Sequence, residues 1–313
     1  MNGPPTRPQR RPRLLIVGCG DIGLRVLKLL GARMTVLALT SSSRRIDELR
    51  AAGARPLRGN LDEPTTLGRL GPLADLVLHL APPAAVGDTD TRTRHLLHAL
   101  ARAGCVRRIV YASTSGVYGD CGGNLVTEAT PVNPQTSRAQ RRVDAETVLQ
   151  AWGRQYGVPV VILRVTGIYG PGRLPLARIR QGHPVLREEE SPPTNRIHAD
   201  DLAVVCVKAA QRAADGDIFN VSDGQPGTMT QFFNAICDLL NLPRLPQVSM
   251  AEARQVMNPM MLSYLSETRR MDNRKMLDEL GITLQYPDLE AGLKNVVAQL
   301  DQPNMGYFGS VGH

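Results

Sequence analysis

From Arg13 onward, short apolar runs alternate with longer stretches whose apolar residues recur at helical spacing. Leu14-Leu15-Ile16-Val17 reads as a buried strand, and Asp21 to Leu30 as a helix with Ile22, Val26, Leu29 and Leu30 on its apolar side. The pattern continues with a strand over 34–39, a helix over about 43–52, a weak strand over 55–58 and a strong one over 76–80. A helix over 91–103, a strand over 108–112, a long helix over 137–156 and a strand over 158–165 follow. Strands separated by helices need crossover connections, so these runs predict βαβ units and a parallel sheet covered on both faces. Right-handed crossovers narrow the fold class to α/β with a doubly wound parallel sheet.

After Thr166 the texture changes. Residues 167–194 are rich in Gly, Pro and Arg and show little period. A helix over 200–213 and a strand over 217–221 resume the alternation, and helices over 228–240, 250–257, 273–280 and 289–300 close the chain. The expected organisation is a basic arm (1–12), a dinucleotide-binding domain (13–170, its sheet completed by 198–223) and a smaller substrate lobe (171–313). The tail from Asp301 is expected to be mobile.

Composition changes this picture little. With 42% apolar residues the 313-residue chain can bury a sizeable core, and no run approaches a membrane span. The net charge of +8 owes four positives to Arg7, Arg10, Arg11 and Arg13, among Pro4, Pro5, Pro8 and Pro12. Such an extended arm reads as a solubilising leader, which disfavours a nucleic-acid partner. Five scattered cysteines with no CxxC pair support neither a disulfide framework nor a metal site, and fit a cytoplasmic setting.

The sharpest local signal is Gly18-Cys19-Gly20-Asp21-Ile22-Gly23, a GxGxxG directly after the first strand and opening the first helix. Gly18 permits the tight turn, Gly20 lets the backbone approach a pyrophosphate, and Gly23 lets the helix pack on the strand. The helix N-terminus then favours the phosphate charge. An NAD site usually carries an acid about 20 residues on, for the ribose 2′-hydroxyl. Here Thr40-Ser41-Ser42-Ser43-Arg44-Arg45 occupies that place. Ser41, Ser42, Arg44 and Arg45 suit a 2′-phosphate, so NADP is preferred over NAD. The bland reading has Ser43 as an N-cap with both arginines on a solvated helix face. Asp62 is either near the adenine or an N-cap.

These segments, with His79-Leu80-Ala81, Ser113-Thr114-Ser115-Gly116-Val117-Tyr118-Gly119 and Leu163 to Gly172, occur in a characteristic order. Arg196-Ile197-His198-Ala199-Asp200-Asp201 and Phe219 to Gly224 follow. Together they resemble the extended short-chain dehydrogenase/reductase superfamily, in its NAD-dependent epimerase/dehydratase group. The resemblance implies a Rossmann domain with a C-terminal substrate lobe, and a nucleotide sugar or related small molecule as substrate. It implies cofactor contacts at Leu80, Ala81 and Pro82, and pairing of two chains through the helices at 91–103 and 137–156.

The catalytic positions depart from that pattern. Thr114 matches the family's Ser/Thr, but the Tyr-x-x-x-Lys pair, counted back from Glu146, falls on Arg138 and Arg142. Arginine stays protonated, so Arg138 cannot act as a general base, although it can bind an anionic group or oxyanion. The pattern resembles the atypical branch that has lost the pair, with Arg142 left to hold ribose hydroxyls. Tyr118 is a surrogate acid on one reading and a packing residue on the other. His79 reads as a core histidine. His198 with Asp200 and Asp201 reads as helix-entry structure or, alternatively, an acid/base cluster. Cys19 is a low-pKa thiol or a small buried residue. The leading expectation is hydride transfer at a nicotinamide on a small polar substrate, oriented by Thr114. The rival is a binding protein that senses NADP(H) without turnover.

Overall fold

The computed structural model describes residues 12–102 and 104–300. Seven strands form its central sheet: β1 (Arg13–Val17), β2 (Thr35–Thr40), β3 (Arg55–Arg58), β4 (Leu76–His79), β5 (Arg108–Thr114), β6 (Val160–Val165) and β7 (Ile218–Val221). All pairings are parallel, in the spatial order β7-β6-β5-β4-β1-β2-β3. The order reverses between β1 and β4, and such a reversal leaves a crevice at the strands' C-terminal ends.

Alternate residues feed two cores. Leu14, Ile16, Leu78 and Val110 face α1 (Asp21–Leu30), and Leu15, Val17, Val77 and Ile109 face the opposite layer. After α2 (Ile46–Ala51), that opposite layer is α3 (Thr91–Ala101) and α4 (Ser137–Tyr156). α5 (Ala199–Arg212) lies beside α1 on the first face. The dense apolar runs seen in the sequence follow from burial on both sides.

The remaining helices are α6 (Met229–Leu239), α7 (Met250–Val256), α8 (Pro259–Leu265), α9 (Arg274–Leu280) and α10 (Leu289–Leu300). A second apolar cluster joins α6 to α10 through Phe233, Ile236 and Leu293, with Tyr169 and Ile179 from the glycine-rich segment. Residues 167–194 are therefore ordered by long-range ladders two or three residues long. Gly167–Tyr169 pairs with Arg196–His198, and Val185–Leu186 with Gln247–Val248. Such short pairings have no period to read.

Three sequence expectations need correction. The second helix starts later, because Ser43–Arg45 forms a 3₁₀ turn and Ser43 caps nothing. Thr40 Oγ1 accepts the Ser42 N–H there instead. The helix α8 was missed, although Asn258 accepts the Met261 N–H as its N-cap and Pro259 opens it. β5 runs to Thr114, two residues beyond the apolar run. The basic arm and the tail from 301 lie, apart from Pro12, outside the described residues. Among the described residues, no helix is long and apolar enough to cross a membrane.

His79 at the end of β4 is fully buried, and its Nε2–H donates to Thr93 Oγ1 at 2.9 Å. Thr93 in turn donates to Asp90 Oδ2. Burial pushes the imidazole pKa down to about 3, helped by the Arg142 charge. Between pH 6.5 and about 3 the unfolded chain holds a proton that the folded one refuses, so acid destabilises the fold across that window. In urea melts, His79→Gln should flatten the pH dependence between pH 6 and 4 by about 1.4 kcal/mol per pH unit. An unchanged slope would refute this assignment.

Candidate functional site

The loops after β1 and β4 meet at the reversal point. Leu80 N–H donates to Val17 C=O at 2.8 Å, and Gly18 turns with φ +82°. A Cβ on Gly18 would lie 2.5 Å from the Ala81 nitrogen. A Cβ on Gly23 would lie 2.9 Å from Cys19 Sγ and 3.3 Å from Ile16 Cγ2. Both glycines are thus demanded by the protein's own packing. At Gly20 a Cβ would meet nothing within 4 Å. The backbone there is bare toward open space, as a closely approaching pyrophosphate requires.

Beyond Gly20 the backbone N–H groups of Asp21, Ile22 and Gly23 find no acceptor among the described residues; the first bond into α1 is Leu24 N–H to Gly20 C=O. Ile22 is buried beneath them. Asp21 would oppose an anion, but Arg25 bonds its carboxylate at 2.9 Å and Arg173 at 2.6 Å. Arg25 also binds Asp200 and the Pro171 carbonyl, so the segment after Tyr169 is tied to the glycine loop. Cys19 is the buried residue of its two readings: desolvation raises its thiol to about 11, against a smaller opposing effect of Arg45.

Along the ends of β2 and β3, Ser41 is exposed and Ser42 half-buried. Arg45 does not reach outward. Its Nε and Nη2 bind Glu48 at 3.0 and 2.9 Å, and Nη1 binds the Cys19 carbonyl at 2.7 Å. Arg44 is exposed and without a partner among the described residues. Asp62 is neither cap nor free acid, since Arg92 holds both its oxygens at 2.7 Å. Of the segment after β4, Ala81 is buried against Gly18 and Pro82 is exposed.

At the C-terminal end of β5, Thr114 is half-buried and accepts the Gly116 N–H at 3.3 Å, which leaves its own proton free. Its neighbour Ser113 donates to Glu146 Oε1 at 2.5 Å. Glu146 pairs with Arg164 at 2.8 Å, both side chains only 6% exposed. Arg164 donates to the Tyr118 hydroxyl at 2.9 Å, and Tyr118 donates to Asn220 Oδ1 at 2.7 Å. Tyr118 is 1% exposed and burial raises its pKa, so its hydroxyl is committed inside the fold.

Arg138 and Arg142, expected to stand where the resembled family carries Tyr and Lys, diverge. Arg142 turns inward, Nη1 donating to the Ala112 carbonyl at 2.7 Å and the Tyr111 hydroxyl at 3.0 Å. That brings it to the strand that carries Thr114. Arg138 turns outward, bonding the Tyr264 hydroxyl at 2.6 Å with its guanidinium 4.5 Å from that ring's centre. His198, Asp200 and Asp201 form structure. Asp201 accepts the N–H groups of Gln285 and Tyr286, Asp200 binds Arg25, and burial lowers His198 to about 4.

Gly-loop, sheet order and crevice define a dinucleotide-binding Rossmann protein. The chain belongs to the NAD dependent epimerase/dehydratase family, whose model matches residues 14–222. Among curated proteins, it is 30% identical to YeeZ of Escherichia coli K12 over 58% of this chain and 60% of that protein. It is 24% identical to human dTDP-D-glucose 4,6-dehydratase, over 53% of each chain. The chain spans only about a quarter to three fifths of the length of these and related curated proteins. A Silicibacter pomeroyi structure described as a functionally unknown conserved protein superposes with a TM-score of 0.79 at 29% identity, covering 92% of this chain and 99% of that one. The NAD complex of Bacillus anthracis dTDP-glucose 4,6-dehydratase superposes with a TM-score of 0.76 at 17% identity, over 93% and 96%, a likeness of fold.

Arg173, which helps neutralise Asp21, is marked by no local motif, since its partner lies 152 residues away. The glycine loop itself can be dissected by two substitutions. Gly18→Ala forces a side chain into a positive-φ turn against Ala81 and should cost about 2 kcal/mol or more of stability. Gly20→Ala should leave the melting temperature within a few degrees of the parent's while abolishing dinucleotide binding by calorimetry. Retained binding in Gly20→Ala would contradict the assignment.

Proposed function

We propose that the protein is an NADP(H)-dependent enzyme of the epimerase/dehydratase kind, acting on a small polar substrate with an anionic portion. A nucleotide sugar is the class that the relatives' names suggest. The carrying observation is the asymmetry of the three glycines, two sealed by packing and the middle one open. The free N–H groups of Asp21, Ile22 and Gly23 would hold the pyrophosphate, and the Leu80–Pro82 segment would flank the cofactor. When bound, the nicotinamide supplies hydride exchange with a substrate carbon. The free hydroxyl proton of Thr114 would orient the substrate oxygen. Arg142 has Nε and Nη2 without partners among the described residues and would hold ribose hydroxyls. Arg138, exposed at the start of α4, would take the anionic portion. We assign Tyr118 to packing instead of proton transfer, because Asn220 and Arg164 occupy its hydroxyl.

That same commitment of Tyr118 favours a second reading, a protein that binds NADP(H) without turnover. Both readings predict a rise in melting temperature of several degrees at saturating NADPH, larger than with NADH. No shift with either would sink them together. A screen of nucleotide sugars for conversion to product by NMR, with nicotinamide absorbance followed alongside for net reduction, then separates enzyme from sensor. Tyr118→Phe should lose about 1–3 kcal/mol of stability yet keep the parent's NADPH shift and any turnover. Loss of turnover alone would restore Tyr118 as the proton donor.

A further inference from the structure

The NADP(H) reading needs a cation for the 2′-phosphate, and Arg45, which bonds the glycine loop at Cys19, already has its charge paired with Glu48. Arg45 spends its donors on Glu48 and the Cys19 carbonyl, and Glu48 neutralises its charge. Its work is positional, tying the turn before α2 to the glycine loop. A different pair of cations lies one strand further out. Thr40 and Arg58, the last residues of β2 and β3, are direct partners across the sheet. Beside them is an open hollow of about 520 Å³, lined by Ser41, Arg58, Asn60, Thr66 and Arg69, with Glu63 at its wall.

Neither Arg58 nor Arg69 has an ion-pair or hydrogen-bond partner among the described residues, and both are exposed. The wall's one acid, Glu63, accepts from the Asn60 amide instead. Two unpaired guanidiniums converging on one hollow repel each other, and a dianionic group between them relieves that repulsion while using their forked donors. The strand order supplies the direction. The C-terminal ends run in the order β1, β2, β3, so a nucleotide laid outward from the α1 N-terminus passes Ser41 before it reaches the hollow beside Arg58.

We infer that Arg58 and Arg69, with the Ser41 hydroxyl, form the seat for a phosphomonoester on the adenosine 2′-carbon. This assignment rests on the dinucleotide reading of the glycine loop and replaces Arg45 as its specificity determinant. The seat is separable from turnover, because half of the cofactor suffices to probe it.

The test is calorimetric titration of the full chain with adenosine 2′,5′-bisphosphate, adenosine 3′,5′-bisphosphate, 5′-AMP and inorganic phosphate. The parent should prefer the 2′,5′-bisphosphate over the other three. Arg58→Ala should weaken that ligand about 10–100-fold, the worth of a charge-assisted contact, and leave 5′-AMP within about threefold. Arg69→Ala should act in the same direction, and Arg44→Ala, whose side chain does not line the hollow, should weaken the ligand less and keep the 2′-preference. Both seat arginines are exposed and unpaired, so melting curves of the variants should match the parent's. A double Arg58→Ala, Arg69→Ala variant that keeps the 2′-preference overturns the seat, as does loss of preference in Arg44→Ala. Inorganic phosphate binding as tightly as the bisphosphate would reduce the hollow to a general anion patch. If the parent binds 5′-AMP without preferring the 2′-phosphate, the seat falls and the dinucleotide reading stands. If it binds none of the nucleotides, both fall.

Discussion

The buried Glu146–Arg164 pair organises the β5–β6–β7 side of this molecule. It joins α4 to β6, and through Ser113 it also holds β5. Tyr118 and Asn220 extend the same network to β7. Removing two charges from water is costly, and the pair is tolerable because every element around it donates or accepts a bond. Losing one partner would strand a charge in the core. The long helix is therefore pinned at one rotation, which decides where Arg138 and Arg142 point.

That rotation explains the unusual division of labour on α4. The helix buries Arg141 and Glu146 as well as Ala145 and Leu149, so its inward face is not purely apolar. Arg142 is drawn against β5 beside the Thr114 end of the strand, while Arg138 stays exposed and meets Tyr264 of α8. A Lys at 142 would offer a point charge to these partners. Arginine can hold the Ala112 carbonyl and still present other nitrogens.

The nucleotide side depends on a different economy of charge. Asp21 and Glu48 each sit near the phosphate loop, and each is neutralised by arginines: Asp21 by Arg25 and Arg173, Glu48 by Arg45. Residual positive charge is left at Arg44, Arg58 and Arg69, further along the groove.

Much of this protein was legible in the chain alone. Strands buried on both faces leave continuous apolar runs, and GxGxxG in its strand–turn–helix setting reports a backbone requirement that only glycine meets. Those local signals determined the doubly wound sheet and the glycine turn that opens α1, while the expectation at Arg138 and Arg142 came from the family resemblance. Tertiary structure alone decided which charges are free. Arg44 and Arg45 are adjacent and identical in type, yet only Arg45 is engaged, by Glu48 three residues on and by the Cys19 carbonyl that the fold brings to it. Tyr118 looked available until β6 and β7 closed on its hydroxyl. Propensity and periodicity act over one or two turns of chain, whereas the Cys19 carbonyl lies 26 residues from Arg45 and Asn220 lies 102 from Tyr118.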